Sequence, residues 1–167
     1  MRAIFFYIFF LVAFCSANAV NADLIRVRQL YYKASSNKAD AEQLDKFLSS
    51  SPNLGGTLLS GYKGMCYMIK ANHAWNPYNK LSYFVKGRDL LDEAIHKNPS
   101  NIELRFLRFC VQTNAPVFLA YSGQIDEDKA IMVKGYTQLK DEDLRQRIKN
   151  YLVTSKYCSA TDKLMLK

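Results

Sequence analysis

Residues 54–72 read LGGTLLSGYKGMCYMIKAN. Leu58, Leu59, Tyr62, Met65, Cys66 and Ile69 fall three and four positions apart, which places them on one face of an α-helix, whereas a half-buried strand would need strict alternation. Gly61 and Gly64 lower the helix propensity by up to about 1 kcal/mol each, a cost that is offset where a second helix approaches closely. The same spacing continues on both sides. Leu24, Val27, Leu30, Tyr31 and Ala34 predict a first helix that ends at Ser35 and Ser36. Asn37 caps a second, with Asp40 in its first turn and Leu44, Phe47 and Leu48 facing inward, and Ser49 to Pro52 stop it. Pro77 opens a fourth helix that carries Leu81, Phe84, Leu91, Ala94 and Ile95 as far as Asn98 and Pro99, and Asn101 opens a fifth with Ile102, Phe106, Phe109, Cys110 and Thr113. Pro116 to Tyr121 read as one or two helical turns packed into a gap. Asp126, Glu127 and Asp128 suit the positive end of the next helix, whose inward residues are Ala130, Val133, Tyr136 and Leu139. Asp141 caps a last one with Leu144, Ile148, Tyr151 and Leu152, ending near Cys158. The predicted fold class is all-α, seven or eight helices in a single domain over 23–158. The tail 159–167 has no evident partner and reads as frayed.

Set against itself at an offset of 47, the chain superposes Leu44 on Leu91, Phe47 on Ala94, Leu48 on Ile95, Pro52 on Pro99, Leu59 on Phe106 and Tyr62 on Phe109. Repetition at such a period indicates stacked helix pairs. Gly64-Met65-Cys66-Tyr67, then Gly87, Leu91, Ala94 and Pro99, resemble the order of features in a tetratricopeptide repeat. The spacing from Gly64 to Pro99 is about eleven residues longer than that family's unit allows, no Trp takes the usual opening position, and the fifth helix lacks the Gly. The resemblance spans 38–113 and implies antiparallel helix pairs stacked as a short, irregular α-solenoid. Gly61 to Tyr136, with the runs Asn72-His73-Ala74-Trp75-Asn76-Pro77 and Glu103 to Phe109, also resemble an uncharacterised family of exported bacterial proteins, a resemblance that implies export and no particular chemistry.

The start of the chain has its own composition. Arg2 gives a positive end, Ala3 to Phe14 an apolar run, and Ala17-Asn18-Ala19 the small-x-small pattern of signal-peptide cleavage, with Val20-Asn21-Ala22 as a second cleavage point. The run is too short for the roughly 20 apolar residues of a spanning helix. Residues 1–22 therefore read as a signal peptide, the mature protein as periplasmic or extracellular, with no stable membrane insertion after cleavage. Lipidation at Cys15 is the alternative, disfavoured by bulky Phe14. The whole chain of 167 residues is 49% hydrophobic with 7 Gly and 4 Pro, which excludes disorder and fibrous structure. Its net charge of +8 suits an anionic partner, yet no basic-aromatic motif of a nucleic-acid reader occurs.

Little in the sequence points to catalysis. His73 and His96 are the only imidazoles. Glu93 and His96 share a helix face but lack the second pair that a di-iron bundle needs, and neither zinc spacings nor a nucleophile elbow occur. No cofactor or metal is expected. After the leader, Cys66, Cys110 and Cys158 remain, an odd number that excludes a disulfide framework. Cys66 and Cys110 read as small buried hydrophobes, with a bridge between them as the alternative, and a nucleophile built from Cys66 or Cys158 with His73 is disfavoured by the apolar setting. Opposite the apolar stripes, Lys63, Tyr67 and Lys70 share one helix face and Arg105, Arg108 and Gln112 another. In stacked helix pairs such rows line a concave surface, and an Arg fork grips a carboxylate in two places. These six residues are the candidate binding row for a peptide or protein segment, acidic by charge complementarity. His73 and Trp75 in the loop 72–78 form a second candidate, as a binding rim or, for Trp75, as a plug between helices. Two other roles stay open: an assembly component using an apolar patch at Val117, Phe118 and Leu119, and a small-ligand carrier with an enclosed cavity. Intact-mass measurement on the product secreted by a bacterial host is expected to show the loss of 19 or 22 residues; retention of Met1, or acyl chains on Cys15, would contradict the leader reading.

Overall fold

The structure is a computed structural model that describes residues 23–50 and 56–166. The leader 1–22 with Cys15, and the helix stop at Ser51 and Pro52, lie outside the described residues. Every regular element among those described is helical. Helix α1 runs over 23–34, followed by α2 (Lys38–Ser50), α3 (Thr57–His73), α4 (Pro77–Lys97), α5 (Ile102–Asn114), α6 (Ile125–Gly135), α7 (Glu142–Thr154) and α8 (Ala160–Leu164). Short 3-10 turns occupy Val117–Leu119 and Tyr136–Gln138.

The helix boundaries follow local chemistry. Asn37 Oδ1 accepts the Ala39 amide at 2.8 Å at the start of α2. Asn76, Asn101 and Asp141 do the same for the amides of Tyr78, Leu104 and Leu144, each satisfying an amide that has no partner inside its own helix. The chain divides into two compact units at Leu90/Leu91, inside α4.

In the first unit α2 packs antiparallel to α3, and Val27, Leu44, Leu59, Tyr62, Met65 and Phe84 are buried. Helix α4 crosses α3 at its glycines: a Cβ on Gly87 would lie 2.6 Å from the Gly64 carbonyl oxygen and 2.7 Å from Met68 Cγ. The second unit has α5 packed on α6, with Phe106, Phe109, Met132, Ile148 and Leu152 in one core cluster. Tyr151 meets Phe106 and Phe109 edge-on at 5.8 and 6.0 Å, and its hydroxyl lies 2.7 Å from the Thr113 hydroxyl. Of the positions matched at an offset of 47, Leu44 and Leu91, Leu48 and Ile95, Leu59 and Phe106, and Tyr62 and Phe109 are buried in both copies, whereas Phe47 is half-buried opposite a buried Ala94 and Pro52 lies outside the described residues.

Two expectations need correction. The tail is folded: Ser159 and Asp162 form a reciprocal capping box on α8, and Leu166 is fully buried in the second unit's core. A polar cap and one apolar anchor hold a segment with no helical stripe of its own. The run from Pro116 does not pack into a gap. Val117 and Phe118 are 95% and 82% exposed, and the turn ends at Ala120 in the left-handed conformation, φ 48°. Only Tyr121 turns inward.

Because the Gly64 carbonyl is backbone and cannot yield as a flexible side chain would, Gly87→Ala is expected to destabilise the protein by about 1 to 3 kcal/mol. Urea unfolding measures it; an unchanged midpoint would mean that α3 and α4 do not need this approach.

Candidate functional site

Helix α5 is buried all round. Every residue from Glu103 to Phe109 is buried, as is Gln112. Arg105 Nη1 donates to Glu127 Oε1 and to Asp128 Oδ1, both at 2.8 Å, and its Nε donates to the Pro99 carbonyl at 2.8 Å. Arg108 grips the same Asp128 through Nε at 2.7 Å and Nη2 at 2.8 Å, and reaches Asp92 Oδ1 at 3.2 Å. Asp128 is 0% exposed. Burial works against the charge on Arg108, but the hydrogen bonds and charges of Asp128 and then Asp92 outweigh it and hold its pKa above the ordinary value. The Tyr121 hydroxyl donates to Asp92 at 2.7 Å, and burial, reinforced by that carboxylate, raises its pKa. Gln112 Nε2 donates to Gln124 Oε1 at 2.7 Å.

The expectation of an open binding row on Arg105, Arg108 and Gln112 is therefore corrected. Their donors are spent on carboxylates and amides of the same unit, where two buried guanidiniums face Asp128, Asp92 and Glu127. The sequence held two signals of this. Leu104 and Leu107 share the helix face assigned to the arginines, so α5 is apolar on both sides, as a buried helix is. Asp128 stands three residues after Ile125 and four before Met132, on the inward stripe of α6.

The other row behaves differently. Lys63 is exposed. Tyr67 stacks on Tyr83 with ring centroids 6.3 Å apart, Lys86 Nζ sits 4.5 Å over the Tyr67 ring, and Lys70 Nζ lies 5.4 and 5.5 Å from the Tyr67 and Tyr83 centroids. Lys70 pairs with Asp45 at 2.8 Å, with 30% and 41% of the two side chains exposed. Partial burial opposes the Lys70 charge, but the hydrogen bond and charge of Asp45 prevail and raise its pKa. His73 Nε2 lies 3.0 Å from the Ala34 carbonyl; since a carbonyl only accepts, Nε2 carries the proton and ties the end of α3 to the end of α1.

Lys70, His73 and Trp75 come together around one groove of about 450 Å³. Lys38, Ala41, Glu42 and Asp45 of α2 form one wall, and Asn76, Asn79 and Tyr83 the other. The indole of Trp75 is 97% exposed, so it rims this groove and plugs nothing. Aromatic faces beside amides and paired charges can hold a chain that carries both apolar side chains and hydrogen-bonding groups.

Cys66, Cys110 and Cys158 are free thiols, without the Cys66–Cys110 bridge. Burial pushes Cys66 and Cys110 up to about 12 and also raises Cys158, which keeps all three protonated and weakly nucleophilic at neutral pH. Glu93 is engaged by Lys97 at 2.6 Å, and His96 is exposed. Among the described residues no group of three or more His, Cys, Asp or Glu is arranged to hold a metal ion. Comparison of the chain with protein-family models, curated proteins and solved structures finds no match.

Removing one partner of a buried ion cluster leaves the others uncompensated, whereas replacing the whole cluster by apolar groups is far less costly. Asp128→Ala is therefore expected to lose about 3 to 5 kcal/mol of stability, more than an Arg105→Met, Arg108→Met, Asp128→Leu triple variant. Urea unfolding compares the two; a triple variant less stable than Asp128→Ala would reverse the ordering.

Proposed function

We propose that the chain is an exported helical binding protein without catalytic activity, built from stacked helix pairs of the tetratricopeptide kind, which takes an extended peptide or protein segment into the groove beside Trp75. The observation that carries this reading is the groove itself, about 450 Å³ with a 97% exposed indole at its edge. The leader 1–22 supports export to the periplasm or beyond, and the repeated burial pattern at an offset of 47 supports stacking.

Charge supports an acidic segment. Residues 23–90 hold ten Lys and Arg against five Asp and Glu, so most of the basic excess lies in the unit that bears the groove. The groove lining itself balances Lys38 and Lys70 against Glu42 and Asp45. The wider field therefore steers an acidic partner inward, and aromatic contact holds it. Exposed Val117 and Phe118 favour a second reading, assembly through an apolar tip. The groove is open and lined by polar groups, unlike the enclosed cavity of a small-ligand carrier.

The single Trp of the chain makes a direct test possible. Titration with capped acidic and basic decapeptides is expected to shift Trp75 emission about tenfold more readily for the acidic set at low salt, the gap closing as salt screens the field. Asn79→Ala and Lys38→Glu are expected to weaken the response. Unchanged emission and no binding with either set would overturn the groove reading.

A further inference from the structure

Helix α4 presents a face that the first unit does not use. Phe84 and Gly87 turn toward α3, while Tyr78 and Leu81, three residues apart, are 80% and 51% exposed, and Trp75 just ahead of the helix is 97% exposed. Val85 continues the same face and, with Ser82, Lys86 and Asp89, borders a shallow basin. Three large apolar side chains in water at one loop-helix junction do not contribute to the core, and the open basin that Tyr78 and Leu81 border does not enclose a small ligand.

We infer that the ridge of Trp75, Tyr78 and Leu81 is a contact for an anionic bilayer surface, distinct from the groove on the other side of the Trp75 loop. The residue types match the medium: Trp and Tyr settle at the headgroup level, and Leu reaches the acyl boundary. The charges match as well. Lys86 is exposed and borders the same basin, within a unit that carries twice as many basic as acidic residues. Asp89, the acid that borders the basin, accepts from Arg88 at 2.8 and 2.9 Å, so its charge is offset where headgroups would sit. Among the described residues no helix is long and apolar enough to cross a membrane. Helix α4 would thus lie along the surface, with its buried side still on α3.

The test uses the secreted full product, with every variant carrying the same N-terminus by intact mass. Sedimentation with vesicles of phosphatidylcholine, alone or mixed with phosphatidylglycerol, reads association, and emission from Trp75 reads whether the ridge itself enters the interface. The expected result is a blue shift, with quenching by shallow-labelled lipid, on the anionic vesicles only. High salt should reduce it, and Tyr78→Ser with Leu81→Ser, which leaves Trp75 as reporter, should weaken it by about tenfold. Circular dichroism checks that this surface variant remains helical. No association, association with Trp75 still open to aqueous quenchers, or equal association by the double variant would overturn the inference. Both assays read Trp75, so the variants separate them: Lys38→Glu and Asn79→Ala address the groove, Tyr78→Ser with Leu81→Ser addresses the ridge, and either pair can act without the other.

Discussion

Asp128 takes hydrogen bonds from two arginines while wholly out of water, and the second unit is arranged around that carboxylate. Taking an ion out of water costs several kcal/mol even after relaxation. The burial holds only because each charged group there meets an opposite charge or a polar acceptor. Arg105 also caps the Pro99 carbonyl, Arg108 also reaches Asp92, and Tyr121 closes onto Asp92. The end of α4, the link to α5, the run before α6 and α6 itself therefore share one set of hydrogen bonds. A one-turn slide of α6 along α5 would carry Asp128 away from both guanidiniums at once, so the cluster fixes register more sharply than apolar packing does.

The two units spend their polar residues in opposite ways. In the second, the cations of α5 are internal and unavailable to a ligand. In the first, Lys70 and Asp45 remain about a third exposed, and a pair so placed contributes at most about 1 kcal/mol. Such a pair can exchange one partner for a ligand group at little cost. The stack of Tyr67 on Tyr83, with lysines over its rings, keeps that wall ordered without depending on the ion pair. Partner contact is therefore cheaper in the first unit than in the second, for a reason that is electrostatic as much as steric.

Helix positions and caps were legible because they depend on neighbours in sequence. Asn37, Asn101 and Asp141 each accept an amide at a helix start, and Gly64 meets Gly87 in the close approach that a glycine inside α3 suggested. The direction faced by a polar stripe was written only indirectly, in Leu104 and Leu107 beside the arginines, since it depends on what packs against it from far along the chain. Arg105 and Arg108 lie opposite an apolar stripe and read as solvated until Asp128, twenty residues on, is brought against them. The acidic run 126–128 reads as helix-start chemistry, which is correct for Asp126 and hides the inward role of Asp128. The tail illustrates the same limit: it reads as frayed because Leu166 gains meaning only from the core it enters, and the Ser159–Asp162 capping box only from the short helix it opens.

Trp75 shows how the fold supports a surface it does not itself require. An indole almost fully in water contributes little to stability, yet its loop is held at both ends. The Ala74 amide donates to the Lys70 carbonyl at 2.9 Å, the preceding His73 is tied to Ala34, and Asn76 accepts the Tyr78 amide just before Pro77 enters α4. Pinning this short loop on three bonds removes freedom that a partner would otherwise have to remove on binding, and affinity rises by whatever ordering cost has already been met. A plug between helices would need burial of the ring, which the indole does not have. Fixed backbone beneath an exposed aromatic is the arrangement expected where the partner supplies the missing burial, whichever side of the loop it approaches from.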